Sequence, residues 1–80
     1  MRGVLAMNAE YEKMLGQNIR KLRMQRDLSQ EQVAAQLQVH GCDVTRSAFA
    51  KIEVGQRHIY PDELKALKDI LAVSYDELFI

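Results

Sequence analysis

Apolar residues recur along this chain at spacings of three and four, and no stretch alternates convincingly at period two. The pattern predicts helices and no strands. Tyr11, Leu15, Ile19 and Leu22 form one buried stripe and predict a first helix near 9–26, with Arg20, Lys21, Arg23 and Arg26 on its other face. A charge run of this kind is ordinarily a solvated helix face. The next start is marked twice. Ser29, followed three positions later by Gln32, is a capping box, and Leu28 with Val33 are placed as its hydrophobic staple. Val33, Ala34 and Leu37 supply the inward face. With Gly41 as a left-handed residue just past His40, Leu37 and Cys42 take the two touching positions of a Schellman cap, which ends this helix near His40.

Thr45 repeats the starting arrangement, with Val44 and Phe49 as the staple pair but Ala48 where a reciprocal Glu or Gln would stand. The third helix buries Ala48, Phe49 and Ile52 and stops at Gly55. Gly55-Gln56-Arg57-His58 reads as a polar loop. Pro61 suits the first position of a fourth helix, where Asp62 and Glu63 complement the dipole and Leu64, Leu67, Ile70 and Leu71 face the core. Ser74 with Glu77, and Val73 with Leu78, give a short fifth helix the same cap and staple. The fold class is therefore all-α, with five helices and no repeats. Residues 1–8 are expected to be a flexible N-terminal tail and 9–80 a single domain.

Composition changes this picture little, and charge changes it more. The 80 residues hold one cysteine, so an internal disulfide framework is excluded and a reducing, cytoplasmic setting is expected. No apolar run approaches membrane-spanning length, and the opening Met1–Ala6 is too short for a signal peptide. Eleven Lys and Arg balance eleven Asp and Glu, which by itself argues against a strongly basic nucleic-acid binder. The zero is a sum of unlike parts: residues 1–60 carry a net +3 and residues 61–80 a net −3.

Several segments, taken in order, resemble Cro- and lambda-repressor-like helix-turn-helix proteins, the XRE family. Leu28-Ser29-Gln30-Glu31-Gln32-Val33-Ala34 resembles that family's second-helix opening. Thr45 to Arg57, with Ile52-Glu53-x-Gly55-x-Arg57, resembles its recognition helix and the following loop. Ile19-Arg20-Lys21-Leu22-Arg23 is similar to its first helix, and Leu71-Ala72-Val73-Ser74 with Asp76-Glu77-Leu78 to its last two. The match runs from about Leu15 to Phe79 and implies a five-helix lambda-repressor-like DNA-binding domain with helices 2 and 3 as the helix-turn-helix. Two features depart from the family. Twenty-four positions separate Ser29 from Glu53, five more than is common, and the excess is expected as about one extra turn of helix 2 followed by Gly41–Val44. Ala72 stands where Gly often follows helix 4, a change worth about 1 kcal/mol at most.

In such a motif the second helix enters the major groove by its N-terminal end. With Ala48, Phe49 and Ile52 turned inward, Arg46, Ser47, Ala50 and Lys51 remain. The base-contact candidates are Arg46, whose guanidinium matches guanine O6 and N7, Lys51 one turn on, and the short Ser47. Candidates for the DNA backbone are Gln30, Thr45, Gln56 and Arg57. The resemblance also implies that Arg23 pairs with Glu53 and ties helix 1 to the recognition helix.

Tyr75, Leu78, Phe79 and Ile80 offer more apolar surface than a short helix hides easily and are the dimer candidates. Cys42 is read as a small cap contact, and His40 and His58 form no metal spacing with it. No phosphate-binding Gly loop and no nucleophile–base pair occur, so no catalytic residue, metal or cofactor is assigned and the protein is read as a non-enzyme. The function expected is sequence-specific binding of double-stranded DNA by a small prokaryotic or phage-type transcriptional regulator, as a homodimer on a two-fold symmetric operator. Ligand sensing by a second domain is not expected. The rivals are an antitoxin coupled to a protein partner and a helical adaptor that has lost DNA.

Overall fold

The computed structural model describes residues 2–79, with side chains from residue 9 onward. Five helices follow one another: α1 (Arg2–Gln25), α2 (Gln30–Val39), α3 (Arg46–Glu53), α4 (Pro61–Leu71) and α5 (Tyr75–Leu78). Helix α1 begins at Arg2, ahead of the start near residue 9 that the apolar stripe suggests. A stripe reports only the part of a helix that packs, and helical backbone can extend beyond it without adding to the stripe.

The starts of α2, α3 and α5 form where their caps were expected. Ser29 Oγ accepts from the Gln32 N–H at 3.0 Å while the Ser29 N–H donates to Gln32 Oε1 at 2.8 Å. Thr45 Oγ1 accepts from the Ala48 N–H at 3.1 Å, and Ser74 Oγ accepts from the Glu77 N–H at 3.1 Å. The ends of α1 to α4 share one device. At each, a residue just past the last turn donates to the carbonyl five positions back: Leu28 to Arg23, Cys42 to Leu37, Gln56 to Lys51 and Val73 to Lys68. The residue immediately before each donor is left-handed, namely Asp27, Gly41, Gly55 and Ala72. At Ala72, with φ of 54°, the methyl group costs about 1 kcal/mol relative to Gly.

The longer connection between Ser29 and Glu53 resolves as expected, with α2 running to Val39 and the chain crossing through Gly41–Val44 to the Thr45 cap. The crossing of α2 and α3 rests on Val33, Ala34 and Leu37 facing Phe49 and Ile52, all buried. Phe49 is fully buried at the centre, among Ile19, Leu37, Leu67, Leu71 and Leu78. Helix α5 is held from outside itself: buried Asn18 on α1 donates from Nδ2 to the carbonyls of Glu77 at 2.9 Å and Leu78 at 2.7 Å. This clamp satisfies helix-end carbonyls that have no partner within so short a helix.

Candidate nucleic-acid interface

Helix α3 presents its exposed face at its start. Arg46, Ser47 and Lys51 are exposed and Ala50 is half-buried, while Phe49, Ile52 and Glu53 are turned into the protein. Among the described residues neither Arg46 nor Lys51 enters an ion pair. Their charges are therefore free to meet an external partner. Thr45 caps the helix and its side chain is exposed, so capping and an outward contact use the same hydroxyl.

Behind this face the helix is fastened to α1 by a buried network. Arg23 donates from Nε to Glu53 Oε2 at 2.7 Å and from NH2 to Glu53 Oε1 at 3.1 Å, the two-pronged geometry that a guanidinium and a carboxylate favour. Its third nitrogen, NH1, donates to the Leu28 carbonyl at 2.8 Å and so also holds the turn into α2. Gln30 completes the set, donating from Nε2 to Glu53 Oε1 at 2.9 Å. Gln30 is thus tied inward by one amide hydrogen and keeps the other. The Glu53 carboxylate is thereby buried and bonded at both oxygens.

The packing that allows this network is closer than the stripe of apolar residues implied. Gly16 on α1 lies against the end of α3, where a Cβ would stand 2.3 Å from the Ile52 carbonyl oxygen and 2.7 Å from that of Glu53. Sequence reading passed over Gly16, although a glycine in a helix interior is itself a signal of close backbone approach. Gly55, left-handed with φ of 77°, packs on α1 in turn: a Cβ there would lie 2.9 Å from the Lys13 Cα.

The loop after α3 differs from expectation in one respect. Gln56 is exposed, as a backbone contact requires. Arg57 is instead engaged within the chain. It donates to Glu63 Oε1 at 2.9 Å from NH1 and to Oε2 at 3.1 Å from NH2, and it lies over the Tyr60 ring. Glu63 also accepts from the Tyr60 N–H at 3.0 Å, closing the start of α4. Opposite charges six positions apart made this pair available in the sequence, but only the loop geometry selected it.

Burial pushes the Glu63 carboxyl up, yet the Arg57 hydrogen bonds, the Tyr60 N–H and the Arg57 charge together hold it below the ordinary carboxylate value of 4.5. A carboxyl whose value is lowered by folding contributes stability in full above its unfolded value, and loses it as pH falls through the folded one. The wild-type melting temperature should therefore fall on acidification below about pH 4.5. Glu63→Gln should melt lower at pH 7 and lose less over that acid range, as thermal melts across pH would show. Parallel pH profiles would refute the assignment.

The dimer candidates divide. Tyr75 and Phe79 are exposed and stacked on each other with ring centroids 6.3 Å apart. Leu78 is corrected from the set: it is fully buried in its own chain's core, because α5 turns that side inward against α1. Ile80 lies outside the described residues. Cys42 is buried, and burial followed by Asp62 and Glu63 raises its thiol above the ordinary range, which makes it a packing residue at neutral pH. Among the described residues no three His, Cys, Asp or Glu side chains are grouped to hold a metal ion, and no helix is long and apolar enough to cross a membrane.

An α2–α3 pair crossed over a shared core, with the start of the second helix exposed and the rest anchored, defines a helix-turn-helix protein of the Cro/lambda-repressor-like class. The chain belongs to the helix-turn-helix domain family, whose model matches residues 14–78. Among solved structures it is similar to the restriction-modification controller protein C.AhdI from Aeromonas hydrophila, with 31% identity over 89% of this chain and 96% of that one, and a TM-score of 0.77. It is also similar to the DNA-binding domain of BldD, with 29% identity over 90% of this chain and 97% of that one, and a TM-score of 0.74. A search of curated proteins found no match.

Proposed function

We propose that this protein is a transcriptional regulator that binds double-stranded DNA in a sequence-specific manner, with the start of α3 in the major groove. One observation carries the reading: Arg46 and Lys51 are exposed on the face of α3 that the core leaves free and pair with no carboxylate among the described residues, while Glu53 is neutralised behind them. A basic surface held rigidly at a helix N-terminus is what direct readout needs. The similarity to a restriction-modification controller and to a DNA-binding domain supports the same reading.

Arg46 and Lys51 face base edges, with Ser47 leaving room between them. Thr45, Gln56 and the free hydrogen of Gln30 serve the flanking phosphates. Arg57 supports the loop through Glu63 and orders the backbone that presents Gln56. The exposed Tyr75–Phe79 pair supports association of two copies on a two-fold symmetric operator, because pairing the apolar rings removes them from water.

Selection of bound duplexes from a random pool tests the proposal. Enrichment of a symmetric site is the expected result. Arg46→Ala should then lose discrimination at one base pair per half-site by about 1–3 kcal/mol while melting like the wild type. Failure to enrich any sequence would favour an adaptor that binds protein alone.

A further inference from the structure

The exposed face of α1 has no role in the reading so far, yet it borders the recognition helix. Lys13, Gln17 and Arg20, at spacings of four and three, line one side of an open groove; Gln30, Glu53 and Val54 line the other. The three α1 side chains are exposed, and among the described residues Lys13 and Arg20 enter no ion pair. Glu53 gives them no counter-charge to serve, because Arg23 and Gln30 already take both its oxygens. The groove is therefore cationic in excess, with a polar floor supplied by Gln30.

Its position in the fold identifies what fits. The groove opens at the C-terminal end of α3, seven residues beyond Arg46, which is about 10 Å along a helix at 1.5 Å per residue. The major groove of B-DNA is about 12 Å wide and bounded by phosphate strands. A helix reading bases near Arg46 thus brings its far end to one of those strands. Gly55 packs on Lys13, so this surface continues into the turn that carries exposed Gln56.

We infer that Lys13 and Arg20, with Gln17 between them, grip the phosphate backbone that borders the major groove occupied by α3. The contact is independent of base identity and adds affinity that the zero net charge of the chain does not provide by long-range attraction. The inference rests on the DNA-binding reading and extends it to α1.

The test compares wild type, Lys13→Ala/Arg20→Ala and, as a control that removes the same charge from α4, Lys65→Ala/Lys68→Ala. Each is titrated against the selected duplex by fluorescence anisotropy over a fourfold range of salt. Each lost phosphate contact lowers the slope of log affinity on log salt by about 0.9. The α1 double variant should therefore lose close to 1.8 from its slope for each protomer bound, so that its affinity falls about tenfold less per protomer across the salt range, with base preference and melting temperature unchanged. The α4 pair should keep the wild-type slope. If wild type binds and the α1 variant keeps its slope, or if the α4 pair lowers it equally, this inference fails and the DNA-binding reading stands. If wild type shows no salt-dependent binding to any duplex, both fail together.

Discussion

Gly16→Ala should lower the melting temperature by about 10 °C or more, the largest effect expected from adding a single methyl group to this protein. Alanine is ordinarily the better helix residue by about 1 kcal/mol, so propensity alone predicts a gain. At Gly16 the added Cβ would meet the carbonyl oxygens of Ile52 at 2.3 Å and Glu53 at 2.7 Å, and the Glu53 carbonyl carbon at 2.9 Å. All three are backbone atoms of α3 and none can rotate away, so one helix must shift against the other. Overpacking typically costs about 1–3 kcal/mol and sometimes more. In a domain of this size each kcal/mol is worth about 4–8 °C. The displacement would also reach Arg23, two turns further along α1, and lengthen its bonds to Glu53. Thermal melts followed by circular dichroism decide the matter. A variant that melts at or above the wild-type temperature would show that α3 yields freely and that the close approach is not a constraint.

Arg23→Ala is the second large effect. It leaves the Glu53 carboxylate, 1% exposed, with Gln30 as its one remaining side-chain partner. Removing one member of a buried pair costs about 3–5 kcal/mol, chiefly because the other charge remains buried without compensation. An 80-residue domain has roughly 4–12 kcal/mol to lose at 0.05–0.15 kcal/mol per residue. Glu53→Ala should also lower the melting temperature and DNA affinity, but by less. Arg23 keeps its bond to the Leu28 carbonyl and, at 11% exposure, reaches water more easily. The order of the two variants in chemical denaturation is the check. Unchanged melting of Glu53→Ala would refute the role of the pair as a lock between α1 and α3, and a reversed order would refute the argument from burial.

Most helix boundaries were legible because the signals that set them are local. Ser29, Thr45 and Ser74 each bond a backbone N–H three residues away, and Gly41 and Gly55 each adopt the left-handed conformation their own chemistry favours. Such contacts form within one turn and need no knowledge of the rest of the chain. The start of α1 was less legible for the converse reason, since the buried stripe begins only where other helices touch it. The candidate site was legible to the extent that it follows from helical phase: removing the inward residues of α3 leaves Arg46, Ser47 and Lys51 outside.

What sequence reading missed depends on distances between segments far apart in the chain. Gly16 meets Ile52 and Glu53, Asn18 meets the end of α5, and Gln30 meets Glu53, none of them within one helix. Arg57 had a carboxylate six positions away, but whether it faces Glu63 or an external phosphate was decided by the turn at Gly55 and the path to Pro61.

The sequence by itself determined five helices, their caps, the face of α3 left free and the opposing charges of the two ends of the chain. Periodicity and capping are properties of a few consecutive residues, and they suffice for that. Only the tertiary structure decided which charges are consumed internally. Arg23 and Arg57 neutralise buried carboxylates, whereas Arg46, Lys51, Lys13 and Arg20 pair with no carboxylate among the described residues. Charge pairing acts through space over a few ångströms, and composition counts every charge alike. A chain of zero net charge can for that reason present a basic face.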